Sequence, residues 1–317
     1  MHFCRLLLLG HLSMVDKHLI IIGGPTASGK TALSLRLALH FQTEILSADS
    51  RQFYREMSIG TAKPSPEELD AVKHHFINSL SVTEPYSAGD FERDALALLE
   101  KLHQSHDVVL LVGGAGLFIQ AVTQGLDDFP TISQEVRDLV AEGETSGGLL
   151  WLQEQVLHKD PLYYEFVDRQ NPARLRRALA VCLQSELPYS QFRNNEGKKR
   201  PFHCHFLLLE WPRDVLYQRI EARVNDMIGA GLEDEARRLL PHRHLTALQT
   251  VGYEEFFAYF DGKCTVEEAV SKIKQHSRNY AKRQLTWFKK RGEWSVFHPE
   301  DTIGIDALLK ERLYTSD

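Results

Sequence analysis

The stretch Gly24-Pro25-Thr26-Ala27-Ser28-Gly29-Lys30-Thr31 decides the fold of this chain of 317 residues. It matches the pattern G-x-x-x-x-G-K-[ST] at every fixed position. An apolar run at residues 18–22 predicts a buried strand before it, and apolar residues at helical spacing predict a helix over residues 31–40. A glycine-rich loop between a strand and a helix points backbone N–H groups at phosphate oxygens. All eight residues are therefore predicted to bind a polyphosphate, with Lys30 adding a positive charge and Thr31 offering its hydroxyl to Mg²⁺.

Further apolar runs predict a parallel sheet around this loop. One predicted strand covers residues 44–48 and ends at Asp49, and another covers residues 108–112 and ends at two glycines. A helix is predicted over residues 117–123, and two more strands are predicted at residues 206–209 and 295–297. Strands that alternate with helices favour a parallel sheet with both faces covered. The predicted fold class is therefore α/β, with a parallel sheet covered by helices.

The middle of the chain, residues 127–205, differs in character from the segments on either side. It is rich in arginine and is predicted to be mostly helical, with helices at residues 134–140, 148–157 and 173–183. We interpret it as a helical insertion domain in a core formed by residues 17–126 and 206–317. Residues 1–16 are predicted to be a disordered extension, in which Met14 is an alternative start of translation.

The composition restricts the class of partner. Hydrophobic residues make up 43% of the chain, which is enough for a sizeable core, and the net charge of −6 provides no overall basic field for nucleic acid. Contact with nucleic acid must therefore come from local basic patches. The four cysteines form no C-x-x-C pair, which argues against a zinc ribbon or a disulfide framework. No apolar run is long enough to span a bilayer, so we expect a cytoplasmic protein that does not bind membranes.

The loop at residues 24–31, called the P-loop below, does not by itself identify the ligand, because ATP, GTP and other diphosphates all fit it. Nucleotide-hydrolysing proteins usually hold Mg²⁺ with an acidic residue at the end of a neighbouring strand. The predicted strand at residues 108–112 ends in Gly113, whereas the acidic strand end is Asp49. Asp49 is therefore predicted either to support the metal indirectly or to act as a base for a nucleophile presented to the P-loop.

The order of short motifs along the chain resembles that of the tRNA dimethylallyltransferases. The resemblance covers nearly everything from residue 17 to residue 288 and is far more specific than the P-loop alone. Its motifs after the P-loop include Asp49-Ser50-Arg51-Gln52-Phe53-Tyr54, Ile59-Gly60-Thr61-Ala62-Lys63-Pro64, Thr250-Val251-Gly252-Tyr253 and Tyr280-Ala281-Lys282-Arg283-Gln284-Leu285-Thr286-Trp287-Phe288.

The resemblance implies a P-loop kinase-like core with a helical insertion domain. It also implies transfer of a dimethylallyl group from dimethylallyl diphosphate to N6 of adenosine 37, in the anticodon stem-loop of tRNA, with Mg²⁺ as cofactor. The exocyclic amine of adenine must lose a proton as it attacks, and Asp49 is the candidate acceptor. The other readings for Asp49 are a helix N-cap or an indirect role at the metal. We expect the protein to be a monomer.

Taken with the resemblance, the residues predict a set of substrate contacts. Lys30, Asp49 and position 115 are predicted to be catalytic, and Arg223 joins the P-loop in binding the diphosphate. The predicted tRNA contacts are spread over three regions of the chain: Asp49, Ser50, Arg51 and Gln52; then Arg137, Ala173, Arg174, Leu175, Arg176 and Arg177; and finally Lys282 and Arg283.

Position 115 departs from the family. The family pattern reads Gly-Gly-Thr-Gly-Leu-Tyr, whereas this chain has Gly113-Gly114-Ala115-Gly116-Leu117-Phe118. The resemblance places the threonine hydroxyl near the diphosphate and the tRNA, and Ala115 cannot donate that hydrogen bond. A lost donor of this kind is worth at most roughly 10²–10³ in rate.

Two groups of basic residues allow more than one interpretation. No acidic residue occurs between Lys272 and Arg291, which favours RNA phosphate contact by Lys282 and Arg283 over a merely solvated helix face. Arg219 and Arg223 are four residues apart on a predicted helix. They are expected either to close over the diphosphate or to pair with the acidic residues Glu221 and Asp226.

Two other functions fit parts of this pattern. A small-molecule P-loop kinase would bind ATP and use an arginine-rich lid, but it leaves the basic C-terminal helix unexplained. A tRNA-binding paralogue that has lost catalysis through Ala115 would keep the helix and lose the transfer reaction.

Overall fold

The structure is a computed structural model that describes residues 16–193 and 197–314. Residues 1–15, which make up nearly all of the predicted N-terminal extension and include Met14, lie outside the described residues.

A six-stranded parallel sheet forms the centre of the core. Its strand order is β3-β2-β4-β1-β5-β6, and every neighbouring pair is parallel. The strands are β1 His18–Gly23, β2 Ile45–Ser47, β3 His74–His75, β4 Val108–Gly113, β5 His203–Leu209 and β6 Ser295–Phe297. In β1, the four residues from Leu19 to Ile22 are completely buried, because helices cover both faces of the sheet. The predicted α/β fold with a parallel sheet is confirmed.

Helices surround the sheet and make up the insertion. None of the described helices is both long enough and apolar enough to cross a membrane. Those of the core are α1 Lys30–Phe41, α2 Pro66–Ala71, α3 Ala88–Leu102, α4 Gly116–Thr123, α8 Arg213–Gly229, α9 Leu232–Leu239, α10 Glu254–Phe260, α11 Val266–Lys290 and α12 Thr302–Tyr314. Those of the insertion are α5 Gln134–Lys159, α6 Pro161–Phe166 and α7 Pro172–Ser185.

The insertion is a compact unit at Gly125–Lys198, whereas the sequence placed it at residues 127–205. The difference arises at β5, which pairs with β1 from His203 onward. His203 and His205 made the start of this strand too polar to meet the criterion of an apolar run. Within the insertion, α5 contains a non-helical residue, Gly148, at the point where the sequence predicted a second helix to begin.

Two histidines meet near the start of the neighbouring strands β1 and β5. His18 Nδ1 lies 3.0 Å from His205 Nε2, and His205 is almost completely buried. Burial, the neighbouring His18, Arg312 and His203 lower the pKa of His205 to about 4. The folded protein therefore holds this imidazole neutral at pH values where an exposed histidine is charged.

We expect acid to destabilise the protein through this site. As the pH falls from 6.5 to 4, the unfolded chain takes up a proton that the folded site refuses, so the free energy of unfolding drops by about 1–3 kcal/mol. Urea unfolding of the wild type and of His205→Asn at several pH values measures this term. The variant should lose that part of the pH dependence, whereas the control His40→Asn, at an exposed position, should keep it. An unchanged pH dependence in His205→Asn would show that the site does not contribute.

Candidate active site

The P-loop lies at the carboxyl end of β1 and leads directly into α1. Ala27 and Gly29 adopt left-handed backbone conformations, with φ angles of 62° and 96°, which curl the chain into a tight loop. The Lys30 ammonium donates to two backbone oxygens at the start of the loop, at 2.7 and 3.0 Å. The Ser28 hydroxyl is buried without a hydrogen-bond partner in the described part of the chain. The loop therefore offers a cation and an unused hydroxyl to an anionic ligand.

A cavity of about 790 Å³ opens beside the P-loop within the core unit. It brings the P-loop and Asp49 together, because the carboxyl ends of parallel strands meet at one edge of the sheet. The remaining walls come from the loop after Gly60 and from the helices α8 and α11. Its lining comprises residues 26–32, 49–52 and 60–64, Glu68, Arg219, Ala222, Arg223, Asp226, Met227, Leu232, residues 250–252, Ile273, Ser277, Tyr280 and Gln284.

Asp49 follows β2 and is held by a turn of its own. Its Oδ1 accepts a hydrogen bond from the backbone N–H of Arg51 at 3.0 Å. Its other carboxylate oxygen has no hydrogen-bond partner among the residues that the structure describes, and the side chain lines the cavity. The turn leaves one oxygen available to a substrate. The carboxylate caps this turn and is not the N-cap of any described helix.

Two partly buried cations face the same carboxylate. Burial and the neighbouring Arg223 lower the pKa of Lys30 to about 7, while the charge of Asp49 opposes that shift. Burial also lowers the pKa of Arg223, and Asp49 again opposes the shift. Like charges in a buried site disfavour each other, and an anionic ligand relieves the repulsion. The electrostatics of the cavity therefore favour a polyphosphate.

The arginines of α8 contact the P-loop and form no ion pair with Glu221 or Asp226 among the residues that the structure describes. Arg223 donates to the Thr26 hydroxyl at 3.3 Å and to the Ala62 carbonyl at 3.2 Å. Arg219 donates to the Ala27 carbonyl at 3.0 Å. Glu221, the neighbour proposed as their alternative partner, instead pairs with Arg278 of α11.

Gln284 links α11 to the site through side-chain hydrogen bonds, and this role could not be inferred from the sequence. Its side-chain oxygen accepts from the Thr26 backbone N–H at 2.9 Å, and its amide nitrogen donates to the Gly114 carbonyl at 3.0 Å. A side chain at Gly114 would collide with Gln284, and one at Gly116 would collide with Trp287 of the same helix. The sequence marked Gln284 only as part of a motif, because a buried glutamine in a basic helix carries no signal of its partners.

The basic face of α11 is partly neutralised. Arg278 pairs with Glu221, and Lys289 pairs with Glu210 at 2.6 Å. Lys282 and Arg283, the two predicted tRNA contacts of this helix, are exposed and have no ion-pair partner among the described residues. Lys272, Lys274 and Lys290 of α11 also have no ion-pair partner among the described residues, so Lys282 and Arg283 belong to a larger set of cations that RNA phosphates could contact.

Residues 50–52 line the cavity beside Asp49. Gln52 is already used within the protein, since its amide nitrogen donates to the carbonyls of Thr61 and Ala62 at 3.2 and 3.3 Å, and its oxygen accepts from Ser47. Ser50 and Arg51 are half-buried at the cavity wall, and their side chains make no hydrogen bond or ion pair among the described residues.

The insertion carries the other predicted tRNA contacts. Leu175 is completely buried in the interior of the insertion, so its side chain cannot reach an RNA, and that part of the prediction is corrected. Arg176 pairs with Glu144 at 3.2 Å, and the Arg177 guanidinium lies over the Phe129 ring at 5.1 Å. Exposed side chains are found at Arg137, Ala173, Arg174, Arg176 and Arg177.

Comparison with known proteins identifies the family. The model of the family described as IPP transferase matches residues 52–291. This chain belongs to the IPP transferase family. A tRNA dimethylallyltransferase from Christiangramia forsetii is 49% identical over 303 residues, which cover 95% of this chain and 100% of that relative.

Solved structures of IPP transferases resemble this chain over almost its whole length. The tRNA isopentenylpyrophosphate transferase from Bacillus halodurans is 34% identical with a TM-score of 0.69, covering 94% of this chain and 97% of that one. A eukaryotic dimethylallyltransferase acting on tRNA is 24% identical with a TM-score of 0.78, covering 94% and 77%, which supports the fold.

Ala115, which replaces the threonine of the IPP transferase pattern, occupies the N-cap of α4. Its backbone N–H donates to the Ala48 carbonyl at 3.3 Å, and its side chain makes no capping hydrogen bond. Ala115 is half-buried and is absent from the lining of the cavity described above. A threonine hydroxyl here could cap the helix as well as approach a substrate.

The residues of the P-loop fit the Mg²⁺ ion that the sequence predicts. Mg²⁺ prefers oxygen ligands and usually keeps several waters and phosphate oxygens in its shell, so it needs few protein ligands. Thr31 offers a hydroxyl and Asp49 a carboxylate at the same cavity. The described residues contain no group of three or more histidine, cysteine or acidic side chains that could hold a metal, so the phosphates of a ligand would have to complete the shell.

We expect Ala115→Thr to stabilise the protein by about 1 kcal/mol, because the hydroxyl would cap α4. Turnover should rise, or stay unchanged if water already replaces the missing donor. Thermal unfolding and a transfer assay measure the two effects. Ala115→Val, which has the same shape without the hydroxyl, is the matched control and should gain neither. A large loss of activity in Ala115→Thr would show that the site is built around the smaller residue.

Proposed function

We propose that this protein transfers a dimethylallyl group from dimethylallyl diphosphate to N6 of adenosine 37 in tRNA and releases diphosphate. The observation that carries the proposal is the shared cavity, in which a P-loop with two cations faces the free oxygen of Asp49. This reaction requires groups that stabilise the departing diphosphate and a group that accepts a proton. The family membership and the names of the relatives support the same reaction.

The P-loop side of the cavity stabilises the leaving group. As the allylic C–O bond breaks, negative charge builds on the diphosphate, and fixed donors aimed at that charge lower the barrier. Lys30 and Arg223 supply positive charge, and the curled loop supplies backbone N–H groups. Mg²⁺, held by Thr31 and by phosphate oxygens, would neutralise part of the remaining charge.

The Asp49 side of the cavity accepts the proton. The N6 amine of adenine forms the new N–C bond as the C–O bond of the donor breaks, and N6 must release one proton. The available oxygen of Asp49 can take that proton while the other oxygen stays bound to the Arg51 N–H. The target base has to leave its stack and enter the cavity for this geometry to be reached.

The tRNA is proposed to bind on exposed basic residues outside the cavity. Lys282 and Arg283 follow Tyr280, which lines the cavity, along α11. The Arg283 guanidinium lies over the Tyr280 ring at 5.7 Å, which places Arg283 beside the cavity that the base is proposed to enter. Arg51 at the cavity wall and the exposed arginines of the insertion are proposed to add further contacts. A tRNA substrate supports the proposal that the protein is cytoplasmic.

We expect Asp49→Asn to reduce the transfer rate by roughly 10²–10⁴, because the carboxamide keeps the shape but cannot accept the proton. The protein is incubated with dimethylallyl diphosphate, Mg²⁺ and tRNA, and the modified adenosine is quantified after digestion of the RNA. Affinities for tRNA and for the donor should change little. An equal loss of Mg²⁺ or diphosphate affinity would instead show that Asp49 supports the metal.

The double variant Lys282→Ala/Arg283→Ala is the matched contrast. It should weaken tRNA binding and lower its salt dependence by about one unit of slope for each lost phosphate contact. Its transfer rate at saturating tRNA should stay near that of the wild type. A wild-type protein that binds tRNA but transfers nothing would refute the proposed reaction and support the impaired-paralogue reading.

A further inference from the structure

The loop at residues 58–64 forms one wall of the cavity and has no regular secondary structure of its own. Its residues Gly60 to Pro64 line the cavity. The Ala62 carbonyl accepts from Arg223, so the position of this loop determines where the guanidinium lies. Ala62 has a φ angle of 45°, a conformation that an alanine adopts only when its surroundings impose it. Something must therefore hold the loop in place.

A buried carboxylate on α9 holds it. Glu235 is 3% exposed. Its Oε2 accepts from the backbone N–H groups of Ser58 at 3.0 Å and Ile59 at 2.9 Å, and its Oε1 accepts from the Gly60 N–H at 2.9 Å. The Tyr253 hydroxyl also donates to Oε1, at 2.7 Å. Three consecutive backbone N–H groups and one hydroxyl thus converge on a single side chain from a distant part of the sequence.

Only a carboxylate satisfies this arrangement. All four groups around Glu235 are donors, and an ionised carboxylate accepts at both oxygens without donating. In a glutamine, the amide nitrogen would face at least one backbone N–H whichever way the group was turned. Either the Ser58 and Ile59 N–H groups or the Gly60 N–H would lose their acceptor, although the Tyr253 hydroxyl could rotate to accept from the amide nitrogen. Buried donors left without an acceptor shift the backbone or cost the full desolvation penalty.

The contacts form a continuous path from Glu235 to the diphosphate site. Glu235 fixes residues 58–60, and two residues later the Ala62 carbonyl holds one nitrogen of Arg223. The other nitrogen of Arg223 donates to the Thr26 hydroxyl in the P-loop. We propose that Glu235 is a positioning residue for the diphosphate donor, which acts by placing Arg223 through this loop. The inference rests on the proposed function, since it assigns Arg223 to the departing diphosphate.

The test is a double-mutant cycle between Glu235→Gln and Arg223→Met. Alone, Glu235→Gln should lower kcat/KM for dimethylallyl diphosphate about tenfold, mainly by raising KM. The reason is that a displaced Arg223 guanidinium binds the donor less tightly. The Kd for tRNA and its salt dependence should not change. In the Arg223→Met background, Glu235→Gln should have almost no further effect, because the group that it positions is gone.

Two further variants complete the experiment. Tyr253→Phe removes one of the four donors and should change KM in the same direction by less, so it provides the test if Glu235→Gln does not fold. Glu233→Gln is the control, because this carboxylate is on the same helix but pairs with Arg237 at the surface.

Four outcomes would overturn the inference. A tenfold loss in both Arg223 backgrounds would show that Glu235 acts only on general stability. A raised tRNA Kd in Glu235→Gln, or a Tyr253→Phe variant with wild-type KM, would also contradict it while leaving the proposed function intact. A wild-type protein that binds no dimethylallyl diphosphate would overturn the proposed function and this inference with it.

Discussion

The two hydrogen bonds of the Gln284 carboxamide hold the site together. They join the P-loop, the turn after β4 and helix α11, three segments that are far apart in the sequence. The group is buried, so a lost bond would leave a donor or an acceptor unpaired, which costs about 1–3 kcal/mol. Because Lys282 and Arg283 immediately precede Gln284, the same link connects the proposed RNA face of α11 with the loop that binds the diphosphate.

The opposite wall of the cavity is held in a similar way. Glu235 fixes the loop that carries Ala62, and Ala62 in turn fixes Arg223 against the P-loop. Two buried polar side chains, one amide and one carboxylate, thus hold the walls of the cavity that Lys30 and Arg223 line. The burial that lowers the pKa of Lys30 to about 7 leaves the site prepared for a strongly anionic ligand.

Local patterns in the sequence predicted much of the fold. Contacts between residues that are far apart in the sequence could not be predicted. The P-loop motif and the apolar runs predicted the strands β1, β2 and β4, and therefore the parallel sheet that they form. Helix α3 was not predicted, although the capping box at Ser87 is a local signal that could have identified its start. The backbone partners of Glu235 and Gln284 could not be predicted, since they lie more than a hundred residues away. Leu175 was assigned to RNA from a motif that does not distinguish the buried from the exposed side of a helix.

The P-loop and the proposed RNA-facing helix α11 depend on each other's position through the two hydrogen bonds of Gln284. Single-turnover transfer by Gln284→Leu, at saturating tRNA and dimethylallyl diphosphate, tests this dependence most directly. Loss of the two buried bonds should lower the transfer rate by about 10- to 100-fold. The Kd for tRNA and its salt dependence should stay near their wild-type values, because Lys282 and Arg283 are unchanged. A Gln284→Leu variant that folds and transfers at the wild-type rate would contradict the account.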